Sequence, residues 1–162
     1  NYNKLIIREH IMLRIHYDID KDWLEELKNE KSVDKINHLI SNTMWGSLVF
    51  ESDTNSTREN IISPDTFWIW FDFFLDKIEK KDFKNEEYAG DIDGVSLNIF
   101  IKGGLFQLKD WNDNVIFETT TSKNEIISQL KEMIKEVIQV ITKANNLVLG
   151  IDHWRVYFEK MA

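Results

Sequence analysis

The feature that most constrains the fold is a series of three short strand patterns late in the chain. Apolar and polar side chains alternate at residues 95–102, 105–111 and 115–120. Gly103-Gly104 separates the first two patterns and an Asn-Asp-Asn turn at 112–114 separates the last two, and both residue types readily adopt tight-turn conformations. Strands joined by such short turns pair antiparallel. The sequence therefore predicts an antiparallel meander, entered through a turn at residues 93–94.

The first third of the chain predicts two further strands and two helical segments. Residues 11–17 alternate between apolar and polar side chains, which is typical of a strand with one polar face, and residues 44–51 predict a second strand. Between them a helical pattern begins at Asp22 and restarts at Ser32, a residue type that caps helices well. The polar residues 52–62 predict a loop.

A capping pattern predicts a helix in the middle of the chain. The tripeptide Ser-Pro-Asp at 63–65 places a capping residue, a proline and an acid where a helix N-terminus favours them. The helix is expected to run to Lys81. The aromatic run at 67–71 is also compatible with a buried strand, and this alternative stays open.

A second capping pattern predicts the longest helix. Ser122 and Glu125 form a capping box, and an apolar stripe follows at helical spacing until Asn145. The last residues, 147–161, fit either a strand or a short helix.

Together these patterns predict an α+β fold. We expect one antiparallel sheet of about five strands, which includes the meander, with two to four helices packed mainly on one face. The chain has 162 residues, 43 % of them apolar, which suits a single domain over residues 1–162 with a substantial core.

Composition excludes several classes of function. The 20 basic and 28 acidic residues give a net charge of −8, which argues against nucleic acid or an anionic membrane as the main partner. The sequence contains no Cys, so disulfides, thiolate metal sites and cysteine nucleophiles are excluded. A Cys-free chain without a signal-peptide pattern or a membrane-spanning run predicts a cytoplasmic protein.

No motif indicates a catalytic, cofactor-binding or metal site, and none of the three is predicted. The cation-loop pattern at residues 91–94 fails because Ala89 and Phe100 stand where an EF-hand needs ligands. The four His residues lack any zinc-binding spacing. The best general-base candidate is His16, which shares the polar face of the first strand with Arg14 and Asp18. A solvent-facing His with no chemical role explains the same pattern.

The acidic residues are concentrated in one segment. Residues 51–93 hold 12 acidic and 5 basic side chains, whereas the chain on either side is nearly neutral. This segment contains the predicted helix at 63–81. On a helical projection, one side of that helix is apolar and consists of Phe67, Trp70, Phe71, Phe74 and Ile78.

The other side of this helix mixes apolar and acidic residues, as a binding surface does. Its candidate partner-binding residues are Asp65, Trp68, Ile69, Asp72 and Asp76. The following loop adds Glu86, Glu87, Asp91 and Asp93. If the helix is instead buried on both sides, Trp68 and Ile69 belong to the core and the acids serve solubility.

The leading functional hypothesis is a non-enzymatic module that masks a basic protein partner through segment 51–93, as bacterial toxin-neutralising (immunity-type) proteins do. A second hypothesis is a ligand-binding protein or enzyme, with a pocket lined by Trp45, Trp70 and Trp111 and served by His16. A third is a structural or regulatory subunit that forms a homodimer through the long helix at 122–145.

Overall fold

The computed structural model describes residues 13–53, 55–60, 66–82, 86–92 and 97–162. These residues form seven strands: β1 Arg14–Ile19, β2 Gly46–Glu51, β3 Ser56–Asn60, β4 Glu87–Ile92, β5 Leu97–Lys102, β6 Leu105–Asp110 and β7 Val115–Thr120. They also form five α-helices: α1 Lys21–Asn29, α2 Val33–Asn42, α3 Thr66–Lys80, α4 Lys123–Ala144 and α5 Asp152–Met161. A 3₁₀ helix, Asn146–Gly150, connects the last two helices.

The predicted α+β class and the meander are confirmed, but the expectations of one five-stranded sheet and of two to four helices are wrong, since the described residues form five α-helices. The strands form two antiparallel sheets, ordered β1-β2-β3 and β4-β5-β6-β7. The two additional strands, β3 and β4, lie in segments that we predicted as loops. Backbone pairing explains both: β3 pairs along the buried strand β2, and β4 pairs along β5, so neither needs a strongly alternating sequence.

The two predicted turns between the meander strands are present, whereas the predicted entry turn at residues 93–94 lies outside the described residues. Gly103 between β5 and β6 has a φ of 59°, and Asp113 between β6 and β7 has a φ of 65°. The carboxylate of Asp110 stabilises the second turn, since it accepts hydrogen bonds from the backbone N–H groups of Asn112 and Asn114, both at 2.9 Å.

Helix α4 is the centre of the helical part of the molecule and lies against α1, α3, α5 and strand β1. Its predicted start is confirmed, because the Ser122 hydroxyl accepts a hydrogen bond from Glu125 N at 3.1 Å. Two α4 side chains also reach the edge of β1. Glu125 Oε1 accepts a hydrogen bond from Leu13 N at 3.0 Å, and Gln129 Oε1 accepts one from Ile15 N at 3.4 Å. Side chains thus occupy backbone donors that an edge strand would otherwise expose.

The ends of α1 and α4 are held together by Asn145. Its Nδ2 donates to the carbonyl oxygens of Leu27 at 2.9 Å and Glu30 at 2.7 Å. The Leu27 carbonyl also accepts the Glu30 backbone N–H at 3.2 Å, and Glu30 follows the last residue of α1, so the Asn145 amide completes the hydrogen bonding at this helix end. Ser32 occupies the predicted N-cap position of α2, but within the described chain its side chain accepts no capping hydrogen bond.

The C-terminal residues, for which a strand and a helix were both open, are helical. Trp154 and Phe158 of α5 are buried, one turn apart, in a core that includes residues of both sheets and all five helices. Phe50 of β2 joins the two sheets, with its ring centre 5.9 Å from that of Phe106 and 6.4 Å from that of Phe117.

Candidate functional site

Helix α3 has the apolar inner side that the sequence predicts. Its inward-facing residues are all buried: Phe67, Trp70, Phe71, Phe74 and Ile78. Phe67 stacks on Tyr17 of β1 with 4.2 Å between ring centres, and Phe74 lies 5.4 Å from Tyr88 of β4. These two contacts fix α3 against both sheets, so the opposite side of the helix is presented to solvent in a defined orientation.

Trp68 is a correction to the predicted site, because it is buried rather than on the outer side of α3. Its indole Nε1 donates to the carbonyl oxygen of Ile40 at 2.9 Å. Its ring packs against Trp154, at 5.0 Å between centres, and against Tyr157 and Phe158. Helix α5 covers this side of α3, which sequence reasoning missed because residues 147–161 were not assigned.

Two large apolar side chains remain on the outer side. Ile69 is 64 % exposed, as predicted for that side, and Phe73 is 57 % exposed. Sequence reasoning missed Phe73, although its position four residues after Ile69 places the two about 40° apart on the helix. They form a small apolar patch in the middle of α3.

The predicted carboxylates Asp72 and Asp76 flank this patch and have partners on the protein itself. The Tyr157 hydroxyl donates to Asp72 Oδ1 at 2.9 Å, and Lys80 Nζ lies 2.8 Å from Asp76 Oδ1. Burial and the neighbouring Asp72 carboxylate raise the pKa of Tyr157, so its hydroxyl stays protonated as a donor. We call Ile69, Asp72, Phe73 and Asp76 the α3 face.

A second acidic group lies where α3 ends. Glu86 N donates to the Asp82 carbonyl at 2.8 Å, and Asp82 N donates to Glu86 Oε2 at 3.0 Å. Lys81 Nζ donates to the Glu87 carbonyl at 3.1 Å, which places the start of β4 beside the end of α3. We call Asp82, Glu86 and Glu87 the acidic corner.

The structure does not place the three remaining predicted site residues on either of these surfaces. Asp91 lies in β4 opposite Asn98, whereas Asp65 and Asp93 lie outside the described residues. The acidic corner lies beyond the C-terminal end of α3, which is about 12 Å along the helix axis from Asp72 of the α3 face.

Electrostatic pairing makes this region less negative than its sequence indicates. Glu79 Oε1 lies 3.8 Å from Lys131 Nζ, and Glu87 Oε2 lies 3.9 Å from Lys102 Nζ. Both lysines come from outside segment 51–93 and return positive charge to it. The negative charge of Glu79 and Glu87 is therefore partly offset, on α3 and at the acidic corner respectively.

The alternative site at His16 is an open pocket of about 320 Å³ on the polar side of β1. His16 Nε2 lies 3.4 Å from Glu51 Oε2, and Asp18 and Glu136 also line the pocket. The contact with Glu51 is not a hydrogen bond. Among the described residues, His16 Nε2 has no hydrogen-bond partner. Sequence reasoning had placed Asp18, not Glu51, beside His16.

The three tryptophans of the second hypothesis do not line one pocket. Trp70 is buried on the inner side of α3. Trp45, just before β2, is 45 % exposed, and Trp111, at the turn after β6, is 79 % exposed. The expectation of an aromatic pocket between sheet and helices is therefore wrong for these residues.

The apolar stripe of α4, which the third hypothesis uses as a dimer interface, packs mainly in the core of its own chain. Its buried residues are Ile126, Leu130, Met133, Ile134, Val137 and Ile141. Among the described large apolar residues of α4, only Val140 is exposed, with 38 % of its surface accessible.

Among the described residues, no three His, Asp or Glu side chains are grouped as a metal site would require. No helix formed by these residues has the length and apolarity to cross a bilayer. Comparisons with protein-family models, curated proteins and solved structures found nothing that matches this chain.

Proposed function

We propose that this protein is a non-enzymatic binding module that captures a basic protein partner on the α3 face and the acidic corner. The observation that carries the proposal is the exposure of Ile69 and Phe73, one helical turn apart, on a helix fixed against both sheets. Paired apolar side chains on a rigid helix are the form that interface anchors take.

The apolar pair and the carboxylates have different roles in this proposal. Burial of Ile69 and Phe73 against a partner supplies most of the affinity, since apolar area removed from water is the dominant favourable term in association. The acidic corner attracts a cationic surface and sets the orientation in which it arrives. Asp72 and Asp76, already paired with Tyr157 and Lys80, contribute local hydrogen-bond acceptors at the rim.

A toxin-neutralising role in the cytoplasm is the specific form of this function that we propose. Cationic nucleases and other basic toxins are matched by an anionic inhibitor, and the net charge of −8 supplies that complement. The absence of Cys from the sequence suits a reducing compartment.

Photo-crosslinking tests the position of the surface. The photoreactive residue p-benzoylphenylalanine is placed at Phe73 and, in a matched control, at Val156, an exposed apolar residue of α5. In lysate of the source organism, the probe at position 73 is expected to link one basic protein that the probe at 156 does not. Equal yields from both positions, or an acidic linked protein, contradict the proposal.

Association kinetics with the linked protein test the charge. The triple variant Asp72→Lys, Asp76→Lys and Glu86→Lys is expected to associate about tenfold more slowly at low salt. The control triple reverses three exposed acids elsewhere, Asp34, Glu132 and Glu159. If association slows equally for both variants, only net charge matters and the proposed surface is wrong.

Co-expression tests the neutralising role. Cells whose growth the linked protein stops are expected to grow again when this protein is produced with it.

A further inference from the structure

A groove lies between α1 and the end of α4, and it is bordered by basic side chains, whereas the α3 face contains acidic ones. It has a volume of about 410 Å³, and Leu24, Val140 and Ala144 form its apolar floor. Asn145 fixes its walls, because its two hydrogen bonds to Leu27 and Glu30 hold the end of α4 against the end of α1. The groove is therefore a preformed apolar surface between two rigid helices.

Three exposed lysines border this floor: Lys21, Lys28 and Lys143. The lining contains a single carboxylate, Glu25, whose Oε1 accepts a hydrogen bond from Asn29 at 3.3 Å. Within the described part of the chain, none of the three ammonium groups lies within 4.0 Å of a carboxylate. The groove is thus locally cationic on a protein whose net charge is −8.

Helix stability explains two of these lysines but not the third. Lys28 and Lys143 lie in the last turns of α1 and α4, where a positive charge offsets the helix dipole. Lys21 is the first residue of α1, where the dipole disfavours a cation. Lys21 therefore adds to the positive charge around the groove without adding to the stability of α1.

We propose that this groove binds an acidic amphipathic helix of a partner protein. Apolar side chains at positions i, i+4 and i+7 of that helix would lie on Leu24, Val140 and Ala144, as in other helix-in-groove complexes. Glutamates or aspartates beside them would meet the three lysines. Residues 21 to 28 of α1 span about 10 Å, which matches roughly two turns of a bound helix.

The groove and the α3 face lie on opposite flanks of α4. Lys131 of α4 contacts α3 through Glu79, whereas Val140 lines the groove beside α1. The separation of nine positions between residues 131 and 140 corresponds to about 180° around the helix. A protein bound to one surface leaves the other accessible, so the two proposals stand or fall independently.

The experiment uses a synthetic 15-residue helical peptide with Leu at i, i+4 and i+7 and Glu at the flanking positions. A second peptide with Lys in place of every Glu is the sequence-matched control. Binding to the full chain is followed by amide chemical shifts of the isotope-labelled protein. We expect saturable shifts confined to α1 and to residues 137–149 with the Glu peptide, and none with the Lys peptide.

Two protein variants separate the groove from net charge. The variant Lys21→Gln, Lys28→Gln and Lys143→Gln is expected to weaken binding of the Glu peptide about tenfold. The control variant makes the same change at Lys35, Lys135 and Lys160, which are exposed outside the groove, and is expected to bind as the unaltered protein does.

Four results would overturn the proposal. The first three are equal binding of the two peptides, chemical-shift changes centred outside the groove, and equal weakening by both triple variants. Concentration-dependent self-association that only the groove variant abolishes would also overturn it, because the occupant would then be a second copy of the chain. Melting temperatures of the variants are recorded to exclude unfolding as the cause of lost binding.

Discussion

Phe71 and Phe73 stand two residues apart in α3, in opposite environments. Phe71 is fully buried among the aromatic residues that join the helix to the sheets, whereas more than half of Phe73 is exposed beside Ile69. The two residues have the same side chain and lie in the same helix, so hydrophobicity alone does not distinguish a core residue from an exposed one. The orientation of each side chain makes the difference, and it is set by the contacts of α3 with distant parts of the chain.

The largest expected effect is on the inner side. Phe71→Ala removes a fully buried ring and is expected to lower the free energy of unfolding by about 3–5 kcal/mol. Urea denaturation followed by tryptophan fluorescence measures it. If the variant does not fold, Phe71→Leu, which leaves a smaller void, provides the measurement. A loss below about 1 kcal/mol for Phe71→Ala would mean that the two sides of α3 do not differ as described.

Trp68 should behave as an inner residue despite its position on the helix. Trp68→Phe removes the hydrogen bond to the Ile40 carbonyl and part of the packing against α5, and is expected to cost about 1–3 kcal/mol. The same denaturation measurement applies. An unchanged free energy of unfolding would mean that Trp68 is not buried against α5 and belongs to the candidate binding surface.

Tyr157 connects the two environments, because its ring packs on Trp68 while its hydroxyl reaches Asp72. Tyr157→Phe is expected to cost about 0.5–1 kcal/mol at neutral pH. The raised pKa of Tyr157 also predicts a pH dependence. The stabilisation is fully present below about pH 10, the usual tyrosine pKa, and is lost as the pH rises above it.

Melting temperatures between pH 8 and pH 11 test this dependence. The unaltered protein should lose stability more steeply above pH 10 than Tyr157→Phe does. Tyr17, whose pKa burial and Asp20 also raise, is present in both proteins and serves as the internal reference. Parallel pH profiles would show that the Tyr157 hydroxyl does not contribute.

The smallest effect on stability is expected for the outer pair. Ile69→Ser with Phe73→Ser should change the free energy of unfolding by less than about 0.5 kcal/mol per site, since neither side chain is buried. The same variant should abolish crosslinking from neighbouring positions of α3. A stability loss comparable to that of Phe71→Ala would mean that the pair belongs to the core.

Segments that stabilise themselves locally could be predicted from the sequence. Helix α4 has its own capping residue, Ser122, and a complete apolar stripe, and the meander carries its own turn residues. Strands β3 and β4 could not be predicted, because their stability comes from backbone pairing with β2 and β5 rather than from their own side chains.

The candidate site could be predicted only in part, for a related reason. The burial of Trp68 depends on Trp154, which is 86 positions away, and the charge around Glu79 depends on Lys131. Neither contact leaves a signal near α3 in the sequence. Phe73 is different, since its spacing from Ile69 was visible and placed it on the outer side of the helix.

The contacts between α4 and the edge of β1 have a consequence for synthesis of the protein. Glu125 is 112 residues beyond Leu13, whose backbone N–H it occupies. A ribosome that adds 5–20 residues per second needs roughly 6–20 s to cover that distance. During this interval β1 and β2 can already pair, but the outer edge of β1 stays available to other extended chains. The nascent chain is therefore most vulnerable to misassembly before α4 emerges, and slower translation of the meander would prolong that exposure.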